Sequence, residues 1–198
     1  MAVSGDGKLA VSGGKDKTLR FWEVETGREL AAFPGCEGPI KACFIAKNSR
    51  AALATDGATL LSIDLKKKEV TRRRQLAGSW SSGQAAAFSS DGEQVAVGDG
   101  YNLRLWNLKS QGERPKMEDN EIQWSMAFTP DGTRLVSGGN GKVNIWDVRK
   151  SRKIHVLATA GQYYIQSLAV SPDNRHVAAI PGSAGQDLQI FRLGPAEK

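Results

Sequence analysis

The sequence predicts an all-β chain of short antiparallel strands, folded as successive four-stranded sheets stacked around a common axis. Two repeated columns in step with one another, and a composition rich in turn formers, predict it. In the first column a strand-like tetrapeptide recurs as Phe21-Trp22-Glu23-Val24, Ser62-Ile63-Asp64-Leu65, Leu105-Trp106-Asn107-Leu108, Ile145-Trp146-Asp147-Val148 and Ile190-Phe191-Arg192-Leu193. Its large apolar residue recurs at spacings of 41, 43, 40 and 45 residues. The second column is a turn of the Ser-Pro-Asp-Gly type, about seventeen residues earlier in each copy. It reads Ser4-Gly5-Asp6-Gly7, Ala46-Lys47-Asn48-Ser49, Ser89-Ser90-Asp91-Gly92, Thr129-Pro130-Asp131-Gly132 and Ser171-Pro172-Asp173-Asn174, with third positions 42, 43, 40 and 42 residues apart. Glycine, at 22 of 198 residues, exceeds the usual ~7% and supplies the tight turns that such a chain needs.

Between the columns lie alternating β-formers and turn residues. Leu9 to Gly14 reads as a strand, Lys15-Asp16-Lys17 as a turn and Thr18 to Trp22 as the next strand. Each repeat is thus a four-stranded meander, strands a to d, and the repeats run approximately 1–35, 36–78, 79–120, 121–161 and 162–198 of one segment, 1–198. A sheet of this kind cannot bury both faces by itself, so the copies stack radially as the blades of a β-propeller. The strand tally is three, four, four, four and three, because Met1-Ala2-Val3 offers only the tail of a strand a and Gly194 to Lys198 little of a strand d. An incomplete ring, or part of a larger propeller, is the expectation, with self-association or pairing with a second polypeptide as its consequence.

On these residues the chain resembles the WD40-repeat family, whose period is about 40–45 residues and whose blades carry a Trp-Asp dipeptide. The dipeptide is intact at Trp146-Asp147, with Trp22-Glu23 and Trp106-Asn107 as near matches, and the divergence is similar to that of bacterial-type repeats. The Gly-His pair that opens a typical repeat survives only as Gly35 and Gly78, followed by Cys36 and Ser79. The resemblance implies that the family's His-Asp-Ser-Trp hydrogen-bond chain cannot form here in its usual way. It also implies a non-catalytic scaffold that binds proteins through its loop-bearing rim.

Composition bounds the remaining function classes. Hydrophobic residues are 40% and charged residues 24% of the chain, which is ordinary for a globular protein. No apolar run approaches the ~20 residues of a membrane span, and the N-terminus lacks a basic segment followed by an apolar core, so a cytoplasmic setting is the expectation. Cys36 and Cys43 then read as reduced thiols, and together with His155 and His176 they are poor material for a metal site. No cofactor is expected. The net charge of +6 is concentrated between Lys66 and Arg74, where six basic residues stand against Glu69.

The candidate residues divide into four sets. Asp6, Asp91, Asp131 and Asp173 occupy the repeated turn, where an aspartate caps its own backbone, and no nucleophile stands beside either histidine, so no enzymatic activity is expected. Trp22, Trp106, Trp146 and Phe191 read as core packing between sheets. Trp80, Trp124, Tyr163 and Tyr164 fall in the connections from strand d to the next strand a, and Tyr101 in a b–c turn. In the family these share one rim, where they serve either as partner-binding anchors or as lids over their own blades. Finally, Lys66, Lys67 and Lys68 lie in a c–d turn, and Arg72, Arg73 and Arg74 in an outermost strand. This basic patch reads first as protection of a sheet edge, then as a seat for an acidic protein, and last as a nucleic-acid site, since it has no stacking aromatics. The leading function is a protein–protein interaction scaffold. The alternatives are a regulatory or substrate-recruiting propeller of a larger enzyme such as a bacterial protein kinase, and a nucleic-acid-binding module.

Overall fold

The strands are two to seven residues long, many of them rich in β-branched and aromatic residues, and successive side chains along each point to opposite faces of its sheet. The structure, a computed structural model, describes residues 1–34, 36, 40–45, 51–56, 59–67, 69–76, 85–99, 101–110, 112–113, 117–119, 121–159, 161, 163–183 and 187–194. All regular elements among them are strands, in two compact units, Met1–Trp80 and Ser81–Lys198.

In the first unit β1 (Ala2–Val3), β2 (Leu9–Gly13), β3 (Leu19–Glu23) and β4 (Glu29–Phe33) form one antiparallel sheet in chain order. A second sheet has the same order, with β5 (Ile40–Ile45), β6 (Ala51–Asp56), β7 (Thr59–Asp64) and β8 (Glu69–Gln75). The core lies between them: Val11, Leu19 and Phe21 of one pack with Ile45, Ala54, Leu61 and Ile63 of the other.

The second unit has three sheets. The first comprises β9 (Ala86–Phe88), β10 (Gln94–Asp99) and β11 (Asn102–Asn107), bordered by β12 (Gly112–Glu113) and β13 (Met117–Glu118). Next come β14 (Ser125–Phe128), β15 (Arg134–Gly138), β16 (Lys142–Asp147) and β17 (Arg152–Ala158), then β18 (Ile165–Val170), β19 (His176–Pro181) and β20 (Gln189–Arg192). Ala96, Leu103 and Leu105 pack with Leu135, Trp146 and Val148 across the first sheet gap. Val136, Val143 and Ile145 pack with Ile165, Val177 and Leu193 across the second.

Two details depart from the strand tally read in the sequence. Ala2 and Val3 suffice for a paired strand, opposite Val11 and Ala10, so the first sheet has four strands where three were expected. The outer border of β11 is divided, because β12 pairs at Trp106–Asn107 and β13 at Asn102–Leu103.

The repeated turn has one geometry wherever it is described. The Ser4 hydroxyl donates to Asp6 Oδ1 at 2.6 Å and accepts the Leu9 N–H at 2.9 Å, while Asp6 also accepts the Lys8 N–H at 3.1 Å. Ser89–Asp91, Thr129–Asp131 and Ser171–Asp173 repeat the hydroxyl–carboxylate bond at 2.5, 2.6 and 2.5 Å. The fourth turn residue has positive φ, 72°, 72° and 67° at Gly7, Gly92 and Gly132 and 60° at Asn174, which is why glycine or asparagine stands there. The turn at 46–49 lies outside the described residues. Neighbouring turns of the second unit also touch, through Ser90 Oγ to the Pro130 carbonyl at 2.7 Å and the Asp131 N–H to Asn174 Oδ1 at 3.2 Å.

Sheet-to-sheet approach requires a second glycine column. A Cβ on Gly13 would lie 2.4 Å from Ile40, and one on Gly138 would lie 2.6 Å from Ile165, so a bare backbone there admits the next sheet's first strand. A β-bulge recurs beside the tryptophan column, between Phe21 and Trp22, Ser62 and Ile63, and Ile145 and Trp146, where it increases the twist of the outer strand pair.

Replacing Asp131 with alanine is expected to cost about 1–2 kcal/mol, from the hydrogen bonds that hold Thr129 and Thr133, measured as a fall in the urea midpoint. The turns also set an acid limit. The Ser4 hydroxyl lowers the Asp6 carboxyl and the Ser171 hydroxyl lowers that of Asp173; at Asp131 burial pushes upward but the Thr129 hydroxyl and Thr133 outweigh it. A depressed folded value stabilises the protein above the ordinary 3.8, and this stabilisation is lost as pH falls through the lowered values. Urea midpoints should therefore hold steady with respect to these groups down to about pH 4 and fall below it; a loss of the turns' contribution between pH 5 and 7 would contradict this.

Candidate functional site

A b–c turn and a d–a connection meet at one rim of the second unit because their backbones are bonded together. Gly139-Asn140-Gly141 joins β15 to β16, and Thr159 to Tyr164 leads from β17 to β18. The Gly141 N–H donates to the Tyr163 carbonyl at 2.8 Å, the Thr159 N–H to the Gly141 carbonyl at 3.0 Å and the Ile165 N–H to the Gly139 carbonyl at 3.0 Å. Three rings gather on this frame. Trp124 packs on Tyr164 with centroids 5.2 Å apart and planes at 47°, and its indole N–H donates to Asn140 Oδ1 at 3.1 Å. Tyr164 lies over Gly182, where any Cβ would stand 2.1 Å from the ring.

Trp124 is half-buried, whereas Tyr163 and Tyr164 remain 45% and 40% exposed. The two tyrosines, with Asn140, Lys142 and Thr159, line an open groove of about 750 Å³. Lys142 pairs with Glu121 at 2.6 Å, and that carboxylate holds the ammonium above its ordinary value. The groove therefore presents aromatic surface and polar edges beside the Lys142–Glu121 ion pair. Tyr101, in the turn before β11, is 60% exposed, and its carbonyl accepts the Asp119 N–H at 3.2 Å. Trp80 lies outside the described residues.

Beneath the rim is a polar network that sequence reasoning missed. The Asp119 side chain is wholly buried and pairs with Lys153 Nζ; Gln123 donates to it, as does Asn144 Nδ2 at 3.0 Å. Lys153 Nζ also sits 4.9 Å from the Trp146 ring centroid, a cation–π contact. The available signal was Asn144, a polar residue between Val143 and Ile145 on the Trp146 face of β16, together with Lys153, which stands opposite Trp146 on the outer strand. The serine–tryptophan half of the family's hydrogen-bond chain persists, as Trp22 Nε1 to Ser12 Oγ at 2.8 Å and Trp146 Nε1 to Ser137 Oγ at 2.9 Å. Trp146 is buried, while Trp22, Trp106 and Phe191 are half-buried.

The basic patch belongs to the first unit. Lys66 and Lys67 are exposed in the turn after β7, their N–H groups donating to Asp64 Oδ1 at 2.9 and 3.0 Å. The Lys67 N–H leads the causes that lower the Asp64 carboxyl. Arg72 and Arg73 are exposed and Arg74 half-buried on β8, the outermost strand of its sheet; Lys68 lies outside the described residues. His155 is exposed on β17 and His176 begins β19, 4.0 Å from Asp173. Among the described residues no three His, Cys, Asp or Glu side chains are grouped to share a metal ion. Cys36 and Cys43 are free thiols, and burial pushes that of Cys43 up to about 11.

Comparison with known proteins gives concordant findings. A family model for the WD domain, G-beta repeat, matches residues 1–23 and 118–147. Telomerase protein component 1 of Rattus norvegicus is 30% identical over 163 residues, covering 76% of this chain and 6% of that protein. Nuclear distribution protein PAC1-1 of Uncinocarpus reesii (strain UAMH 1704) is 28% identical over 172 residues, covering 85% and 33%. Apoptotic protease-activating factor 1 of Homo sapiens is 28% identical over 172 residues, covering 80% and 13%. The chain thus spans about a third or less of the length of these relatives.

Removing one partner of the buried pair should be far costlier than removing both. Lys153→Met leaves the Asp119 carboxylate buried without its cation and is expected to destabilise by about 3 kcal/mol or more. Adding Asp119→Asn to that variant should recover part of the loss in a double-mutant cycle by urea denaturation; strictly additive losses would show that the two side chains are not coupled.

Proposed function

Because this chain belongs to the WD40-repeat family, we propose that it is a non-catalytic scaffold that binds another protein through the aromatic rim of its second unit. The observation that carries this reading is the open groove whose exposed tyrosines, Tyr163 and Tyr164, are held by backbone hydrogen bonds rather than by deep burial. Rings already fixed in place lose little conformational freedom on binding, which suits them as anchors. Tyr101 extends the proposed contact surface. Dispersed histidines and turn-bound aspartates support a binding role over chemistry.

The basic strand fits edge protection: Arg72 and Arg73 on β8 discourage pairing with another chain's strand. An acidic protein is the next reading for this patch, and nucleic acid the last. A specific observation favours a second reading of the whole, in which the chain is a recruiting or regulatory module of a longer protein: its relatives extend well beyond the matched segment. The two free thiols fit a cytoplasmic setting.

Affinity capture followed by cross-linking and mass spectrometry tests the rim. Tyr163→Ala with Tyr164→Ala should weaken recovery of the captured protein about tenfold or more, while circular dichroism stays that of the wild type. Arg72→Ser with Arg73→Ser should leave capture unchanged. Equal capture by the tyrosine double variant and the wild type would refute the rim as the binding surface.

A further inference from the structure

The groove at the aromatic rim offers a partner a particular set of free groups. Its backbone frame is already occupied: the carbonyls of Gly139, Gly141, Tyr163 and Tyr164 accept the N–H groups of Ile165, Thr159, Gly141 and Gly182, at 3.0, 3.0, 2.8 and 2.8 Å. An added β-strand would therefore find no continuous ladder to extend. The side chains leave a different set. An indole N–H can only donate, so the Trp124 bond fixes the Asn140 amide with Oδ1 toward the indole, and the Nδ2 hydrogens of this exposed residue have no partner among the described residues. The hydroxyls of Tyr163 and Tyr164 likewise bond to no described residue. The acceptors are engaged: Asn140 Oδ1 holds the indole, Thr159 Oγ1 bonds to the Gly161 carbonyl at 3.2 Å, and Glu121 Oε1 holds Lys142. The groove is thus walled by rings, edged by donors, and neutral where Glu121 balances Lys142.

We infer that the groove takes a proline-rich segment of another protein, bound in the extended polyproline II conformation; this rests on the rim being the binding surface and names the chemistry of what it binds. The complementarity is one of hydrogen bonds and charge together. A polyproline II segment has every carbonyl free to accept, which suits the Asn140 amide and the tyrosine hydroxyls. Proline has no N–H, so nothing in it requires the acceptors that this groove has already engaged. Its flat pyrrolidine rings pack on aromatic side chains, as the exposed faces of Tyr163 and Tyr164 permit. An acidic or a basic segment would gain little, because the charges beside the groove already balance. Both surfaces are also ordered before they meet, the rings by the bonded frame and the segment by its own fixed dihedral angles, which lowers the entropic cost of association.

Calorimetric titration of the full chain with a synthetic polyproline peptide, compared with a glycine–serine peptide of equal length, tests it. Polyproline should saturate a single site and the glycine–serine peptide should not bind. Tyr164→Ala should weaken binding about tenfold or more. Tyr164→Phe keeps the ring and Asn140→Asp keeps an acceptor for Trp124, so these two remove donors alone, and each should weaken binding about threefold; they decide the matter if Tyr164→Ala loses the wild-type circular dichroism spectrum. Absence of saturable binding up to about 1 mM, equal binding of both peptides, or affinity unchanged in both Tyr164→Phe and Asn140→Asp overturns the inference. Affinity capture separates this failure from that of the rim itself. If the tyrosine double variant loses the captured protein while the wild type ignores polyproline, the rim stands and the proline-rich occupant is refuted; if the double variant captures normally, both fall together.

Discussion

Sheets that are apolar on both faces cannot stand alone in water, and the burial of each face against a neighbour is the constraint on which the rest of this structure depends. The β14–β17 sheet shows it most directly. Leu135 and Trp146 point into one cluster, while Val136 and Ile145, their immediate neighbours in sequence, point into another. Period-two alternation thus divides one strand between two cores. Glycine at the end of strand b follows from the same demand, since Gly138 lets Ile165 approach to a distance that no side chain would permit.

The polar groups are arranged around that packing and do not compete with it. The repeated turns satisfy their backbone locally, with a hydroxyl and a carboxylate serving the same N–H groups in each copy. Trp146 keeps its bond to Ser137, but the charge beneath the rim comes from Asp119 and Lys153 in place of the family's histidine–aspartate pair. Such a pair is costly to desolvate, and the Asn144 and Gln123 amides that donate to Asp119 offset part of that cost. Asp119 joins the stretch after β13 to β16 and β17, and the Trp124 connection follows directly from it.

Position also explains why the rim can present aromatic rings to solvent without becoming loose. Tyr163 and Tyr164 lie in a connection whose carbonyls accept from the Gly141 and Gly182 N–H groups, so the backbone is anchored on both sides while the rings stay open. Trp124 packs on Tyr164 and keeps part of its own surface accessible. Rigid sheets beneath ordered connections are the general condition under which loops carry recognition.

The tryptophan column, the Ser/Thr-x-Asp turn and the meander of strands were all legible in the sequence, because each rests on local chemistry: alternation, β-propensity, and an aspartate bonding to its own backbone. The place of Trp124, Tyr163 and Tyr164 in connections between sheets was legible from the repeat, but not the ring packing of Trp124 on Tyr164 or its contact with Asn140. Asp119, Gln123, Asn144 and Lys153 were not legible as a group, because they are separated by up to 34 residues and only the stacking of two sheets brings them together. The bulge beside the tryptophan column and the pairing of a two-residue β1 escaped for a related reason, since ladder register depends on both strands of a pair. By itself the sequence determined which residues form strands, where they turn and which faces are apolar, all properties of a few neighbouring residues. Tertiary structure alone decided which apolar faces are covered and which buried charges meet, because burial is a property of what lies across the gap between sheets.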